Sequence, residues 1–285
     1  MKKLSIYILA LTSVFYTSCS TDDKIVIDVI DGITSGGILR TRDIISGSYN
    51  AFDNTSIFSV MIEEQDRENG ALLSSVDVMI SFTDTQDDGM DNNVAEMMFS
   101  NIPASAFTTG ERGLPETTFT VSLAEALSAV GLGAGQFNGG DSFTFRFILN
   151  LTDGTTWTDV NGNGNITGGS FFSSPYRYVA NINCIPLTPF PGDYMLSLED
   201  TFGDGWDGAF ITVNVDGVST DYTIEDGSTA EFTITVPDGT TTLVFTYTAG
   251  NFENEHIWEL LGPNGEIAAS GSPGPPGEIV LNICS

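Results

Sequence analysis

Between positions 142 and 151 the chain places Phe143, Phe145, Phe147, Leu149 and Leu151 two residues apart, with Ser142, Thr144, Arg146 and Asn150 between them. Only an extended strand puts such a series on one face; a helix would scatter it around its circumference. The same alternation or β-branched enrichment marks residues 56–62 and 75–82. It returns at Ile211/Val213/Val215, Phe232/Ile234/Val236 and Leu243/Phe245/Tyr247, and residues 256–261 and 279–284 also read as strands. Asp216-Gly217, Pro237-Asp238-Gly239 and Pro263-Asn264-Gly265 punctuate these runs as tight turns. Short strands at this frequency predict an all-β chain, and 285 residues are enough for two separate cores.

The organisation expected is two tandem β-sandwiches, Ig-like or jelly-roll-like. The first spans residues 45–184 and the second 192–285. Pro186, Pro189 and Pro191 make 185–191 a linker, because proline cannot pair inside a sheet. One helix is expected in the first domain, where Ser122 and Glu125 form a capping box ahead of Ala126, Leu127 and Val130. Residues 19–44 are polar and glycine-containing and read as a tether, whose apolar run at 25–30 fits either a first strand or part of that tether.

Lys2 and Lys3, the apolar run at 4–15 and then Thr17-Ser18-Cys19 have the order of an export signal, 1–18, too short to span a bilayer. The Ser18-Cys19 ending resembles a bacterial lipoprotein signal, with Tyr16 where those signals usually carry leucine; the resemblance implies that Cys19 is lipidated. Ser20-Thr21-Asp22-Asp23 is similar to the acidic tag that sends Bacteroidota lipoproteins to the outer face of the outer membrane, and equally reads as solvated linker. With Lys2 and Lys3 removed, 7 basic residues face 38 acidic ones, a net charge of −31. Such a surface excludes nucleic acid as a partner and suits divalent cations. With Cys19 assigned to lipid, Cys184 and Cys284 are left to pair as a disulfide in an oxidising compartment.

Residues 198–215 crowd Asp200, Asp204 and Asp207 among Gly203, Gly205, Gly208 and Trp206. Carboxylates this close repel unless a cation lies among them, so a structural calcium ion is expected on these three aspartates. A weaker candidate is Asp159, Asn161 and Asn163, the front half of a calcium loop that has Ser170 where a glutamate is required. Its Asn-Gly pairs also suit plain hairpin turns. The acids at 84–93 are most simply a solvated polar loop.

The stretch Gly203-Asp204-Gly205-Trp206-Asp207-Gly208 resembles the signature of β-sandwich modules in secreted and cell-surface proteins. The strand at 140–145 and the Ser-Pro-Tyr-Arg-Tyr run before Cys184 more loosely resemble accessory lipoproteins of Sus-type nutrient-uptake systems. That resemblance implies glycan or nutrient capture beside SusC/SusD-like transporter components, with Trp157, Tyr176 and Tyr178 as candidate sugar platforms; their alternative role is core packing. Catalysis has little support: His256 is the only histidine and lies in strand-like sequence, and no nucleophile elbow, zinc helix or Walker loop is present. The expected function is therefore a non-catalytic, lipid-anchored surface protein of the outer membrane that binds a ligand. The alternative is a calcium-stabilised structural or adhesive protein.

Overall fold

The computed structural model describes residues 36–284 apart from 88, 163 and 169–171. Cys19 and Asn163 therefore lie outside the described residues. The first part of the chain forms β1 (Gly37–Ser46), β2 (Ser48–Asn50), β3 (Ile57–Asp66), β4 (Leu73–Thr83), β5 (Val94–Pro103), β6 (Thr108–Thr109) and β7 (Pro115–Ser122). Helix α1 (Leu123–Val130), β8 (Ser142–Leu151), β9 (Thr156–Trp157), the single-turn α2 (Gly164–Thr167) and β10 (Arg177–Asn183) follow. One sheet has the order β1-β3-β7-β6; its partner has the order β2-β10-β8-β4-β5, with β9 beside β8. All pairs are antiparallel except β2 with β10.

The alternating phenylalanines do what their spacing requires. Phe143, Phe145, Phe147 and Leu149 of β8 stand directly across from Phe82, Ile80, Val78 and Val76 of β4, and all eight are buried. Phe58 on the opposing sheet stacks on Phe145 with centroids 5.0 Å apart, and Phe119 meets Phe147 edge-on at 5.4 Å. Such pairs each add about 0.5–1.5 kcal/mol beyond burial. Helix α1 starts on the expected capping box, with Ser122 and Glu125 bonding each other's backbone, and ends at Gly131 in the left-handed region (φ +75°).

Strand β1 corrects the tether reading of residues 19–44, since the sheet already begins at Gly37. Its polar composition serves ion pairing. Arg40 bonds Glu63 and, at 3.2 Å, Gln65, while Arg42 reaches Glu63 at 3.6 Å and Glu116 at 3.8 Å. Arg112 adds a third guanidinium beside Glu63, which has no solvent exposure.

The second part forms β11 (Gly192–Asp200), β12 (Phe210–Val215), β13 (Val218–Tyr222), β14 (Thr229–Val236), β15 (Leu243–Thr248), β16 (His256–Leu261), β17 (Ile267–Gly271) and β18 (Gly277–Ile279). Its sheets have the orders β14-β11-β16-β17 and β13-β12-β15-β18. Tyr194, Leu196, Leu198, Ile211, Val213, Ile234, Phe245, Tyr247 and Leu260 close a second core, separate from the first. The all-β, double-sandwich fold expected from the alternation is thus the one found.

Gly37–Ser285 is one compact unit, and the segment between β10 and β11 is fastened at several points. Cys184 pairs with Cys284 across a separation of 100 residues, which restricts the unfolded chain by about 4–5 kcal/mol on chain-entropy grounds. Asn50 Nδ2 donates to the Ile185 carbonyl at 2.9 Å, and Phe52 meets Phe190 edge-on. A Cβ at Gly139 would lie 2.1 Å from Cys284 Sγ and 2.4 Å from Cys184 Sγ. Only glycine lets the first sandwich close over this bond. A disulfide of this kind belongs to an oxidising, extracytoplasmic compartment.

Candidate metal centre

The Asp/Gly/Trp loop begins where β11 ends, at Asp200. That side chain is only 1 % exposed, so its charge needs partners inside the protein. Four backbone donors supply them: Phe202 N–H reaches Oδ1 at 3.2 Å, and Gly203, Asp204 and Gly205 reach Oδ2 at 2.8, 2.8 and 2.9 Å. Burial works to raise the Asp200 pKa, yet these donors outweigh it and hold the carboxyl below its ordinary range. The glycines make the wrapping possible. Gly205 sits at φ +103°, and a Cβ there would lie 2.8 Å from the Ile224 carbonyl oxygen.

Trp206 closes the interior beneath the loop. It has no solvent exposure and donates its Nε1–H to the Glu199 carbonyl at 2.9 Å. Its ring stacks on His256 at 5.2 Å and meets Tyr247 edge-on at 6.1 Å. His256 is fully buried with Glu253 Oε1 3.7 Å from Nδ1 and Tyr247 Oη 3.4 Å away. The Tyr247 hydroxyl donates to Glu253 Oε2 at 2.5 Å; burial first, and then the Glu253 carboxylate, push its pKa well up.

Antiparallel pairing sets Asp200 opposite His256 and carries Glu255 to the loop, where the Thr201 N–H donates to the Glu255 carbonyl at 2.9 Å. Carboxylate oxygens of Asp200, Asp204 and Glu255 then lie within 4.8 Å of one another. Three hard oxygen donors at that spacing can hold a divalent metal ion such as calcium. Because Oδ2 of Asp200 already accepts three N–H groups, Oδ1 is the oxygen with capacity to spare. Two of the three expected ligands are in this group. Asp207 is not: it stands at φ +45°, its backbone carbonyl accepts from the Asn251 N–H at 3.1 Å and so joins the loop at 200–208 to that at 250–255, and its carboxylate Oδ2 is buried without a hydrogen-bond partner. Glu255 escaped sequence reasoning because 51 residues separate it from Asp204, and no local motif marks it.

The weaker calcium candidate is an arginine clasp. Asp159 accepts from Arg177 Nε at 2.9 Å and from the Thr158 hydroxyl at 2.8 Å, with Arg146 Nη1 3.9 Å away. Burial raises its pKa, but these partners prevail and lower it. The guanidinium groups supply the positive charge that calcium would have brought. Asn161 is spent on the turn, accepting from the Thr158 N–H and donating to the Thr156 carbonyl, each at 2.8 Å. In the loop at 84–93, Asp84 likewise caps backbone, accepting from the Gln86 and Asn92 N–H groups at 2.9 Å.

The aromatic platform expected for sugars is also corrected. Tyr176 and Tyr178 are buried core residues, 1 % and 6 % exposed. The Tyr176 hydroxyl donates to the Gly37 carbonyl at 2.8 Å, and the Tyr178 hydroxyl pairs with Thr41 Oγ1 at 2.8 Å. Trp157 is partly buried, packed on the first core beside Gly37. Tyr178 shares the inward face of β10 with Ala180 and Ile182.

No protein-family model matches the chain, and no curated protein matches it. Among solved structures, red sea bream transglutaminase is similar over 80 % of this chain and 29 % of its own, at 7 % identity and a TM-score of 0.22. A Mobiluncus mulieris adhesin containing intramolecular disulfide, isopeptide and ester bond cross-links is similar over 75 % of this chain and 79 % of its own, at 12 % identity and a TM-score of 0.21. At these scores neither likeness carries an argument about activity, and the chain is described by its own structure as a disulfide-closed, double β-sandwich protein.

Proposed function

We propose that the chain is a non-catalytic surface protein whose C-terminal sandwich is braced by a calcium ion, tethered to the outer membrane through Cys19 and serving a structural or adhesive role. The observation that carries this reading is the convergence of Asp200, Asp204 and Glu255 in a region without internal counter-charge. Arg177 is the last basic residue of the sequence: residues 178–285 contain no lysine or arginine. Two carboxylates 4 Å apart repel by about 1 kcal/mol in water and about 4 kcal/mol at a surface-like dielectric. A hard cation reverses the sign of that contribution. Closure of His256 behind Trp206 agrees with a role other than catalysis. Glycan or nutrient capture beside a SusC/SusD-like transporter is the less supported reading, because Tyr176 and Tyr178 are committed to the core.

Calorimetry of the full chain tests the brace. At a calcium concentration about a hundredfold above Kd, the ion stabilises by about 2.7 kcal/mol, raising the melting temperature by roughly 5–10 °C over that in chelator. Superimposable melting curves with calcium and with chelator would remove the ion from the proposal. The anchor is tested separately: Cys19→Ser should move the protein from the membrane fraction to the soluble one, and undiminished membrane association would refute lipidation at this position.

A further inference from the structure

We propose that the end of the second sandwich bearing Phe202 and Phe252 is a docking surface for a basic, partly apolar polypeptide segment of another protein. The two rings are 74 % and 63 % exposed. They stand on loops tied together at one end of the sandwich, by Thr201 N–H to the Glu255 carbonyl and Asn251 N–H to the Asp207 carbonyl. The core needs neither ring, because Trp206 already seals the interior at this end. Phe252 also holds φ +55°, a left-handed conformation that a bulky side chain adopts at a cost and asparagine or glycine accepts readily. An exposed aromatic residue stands there in spite of strain and of contact with water.

Charge selects the occupant. A third loop joins the same end, through Trp206 N–H to the Ile224 carbonyl and Asp200 N–H to the Ser228 carbonyl, and it brings exposed Glu225 and Asp226 beside exposed Asp204. Asp207, Glu253 and Glu255 are half-buried among them. No lysine or arginine of residues 178–285 offsets these acids. The arginines of the first sandwich are already engaged with Glu63, Glu68, Glu96, Glu116, Asp153 or Asp159. A negative field around two apolar rings repels phosphate backbones, anionic lipid and a second copy of this chain, whose net charge is −29. An uncharged glycan gains nothing from the field. A segment with lysine or arginine next to apolar side chains gains twice, through steering by the acids and burial of the rings. A calcium ion at Asp200, Asp204 and Glu255 would leave Asp207, Glu225 and Asp226 to act, so the inference stands apart from the calcium brace.

The test is fluorescence anisotropy of a labelled peptide of lysines interspersed with leucines, titrated with the full chain in chelator and again in calcium. Saturable binding is expected in both, weakening with added salt. A Phe202→Ser, Phe252→Asn double variant should lose about tenfold or more in affinity with a melting temperature no lower than the parent's, since both positions are exposed and asparagine relieves the strained backbone at 252. A lysine-glycine peptide should bind about tenfold more weakly than the lysine-leucine one. Equal affinity of parent and double variant would reduce the effect to general charge attraction and overturn the proposal. So would absence of saturable binding, or calcium-dependent preference for phosphatidylglycerol vesicles over the peptide.

Discussion

Replacing Asp200 by alanine is expected to destabilise the second sandwich by on the order of 4 kcal/mol, even in chelator, whereas Glu255→Gln is expected to leave it at least as stable as the parent there. The contrast follows from what each carboxylate touches. Asp200 accepts from four backbone N–H groups, and its removal strands donors that cost about 1–3 kcal/mol each where water cannot reach them. Glu255 contributes charge to the cluster, so its neutralisation relieves repulsion against Asp200 and Asp204. In calcium the order changes: the parent gains stability and Glu255→Gln loses most of that response. Denaturant unfolding followed by tryptophan fluorescence reads each protein in chelator and in calcium. A full calcium response in Glu255→Gln would displace Glu255 from the site, and a loss below about 1 kcal/mol in Asp200→Ala would show that the loop does not depend on its cap.

A second large effect is expected from Glu64, in the first sandwich. It lies on the core side of β3, in register with Leu39 of β1, with no solvent exposure and no hydrogen-bond partner for either oxygen. Burial, and secondarily the negative charge of Asp66, push its pKa from 4.5 to about 8. The folded chain therefore keeps a proton that the unfolded chain releases near pH 4.5. The stability this provides is fully present below pH 4.5 and is lost as pH rises to about 8, at roughly 1.4 kcal/mol per pH unit. Carboxyls held below their ordinary range by hydrogen bonds, among them Asp84, Asp153 and Asp216, lose their contribution only in stronger acid. Unfolding free energy should thus fall steeply between pH 5 and 8, and Glu64→Gln should flatten that slope by several kcal/mol over the window. An unchanged slope in the variant would rule Glu64 out as its source.

Strands were legible in the sequence where one face is apolar and the other polar, as in β8 and β12, and α1 was legible because its capping box is local. Strand β1 was hidden because its arginines neutralise Glu63 and Glu116, which lie on other strands. The arginine clasp at Asp159 was hidden for a related reason. Its partner Arg177 is 18 residues away, and nothing around either residue announces the pair.

By itself the sequence determined the all-β class, the cysteine pair and the wrapped Asp/Gly/Trp loop, since side-chain alternation, turn chemistry and positive-φ glycines act over a few neighbouring residues. Only the tertiary structure decided that Glu255 replaces Asp207 beside Asp200 and Asp204, that Tyr176 and Tyr178 are core residues, and that Glu64 is sealed inside. Cross-strand register is set by the packing of whole sheets, and that register chooses which distant carboxylate stands beside which.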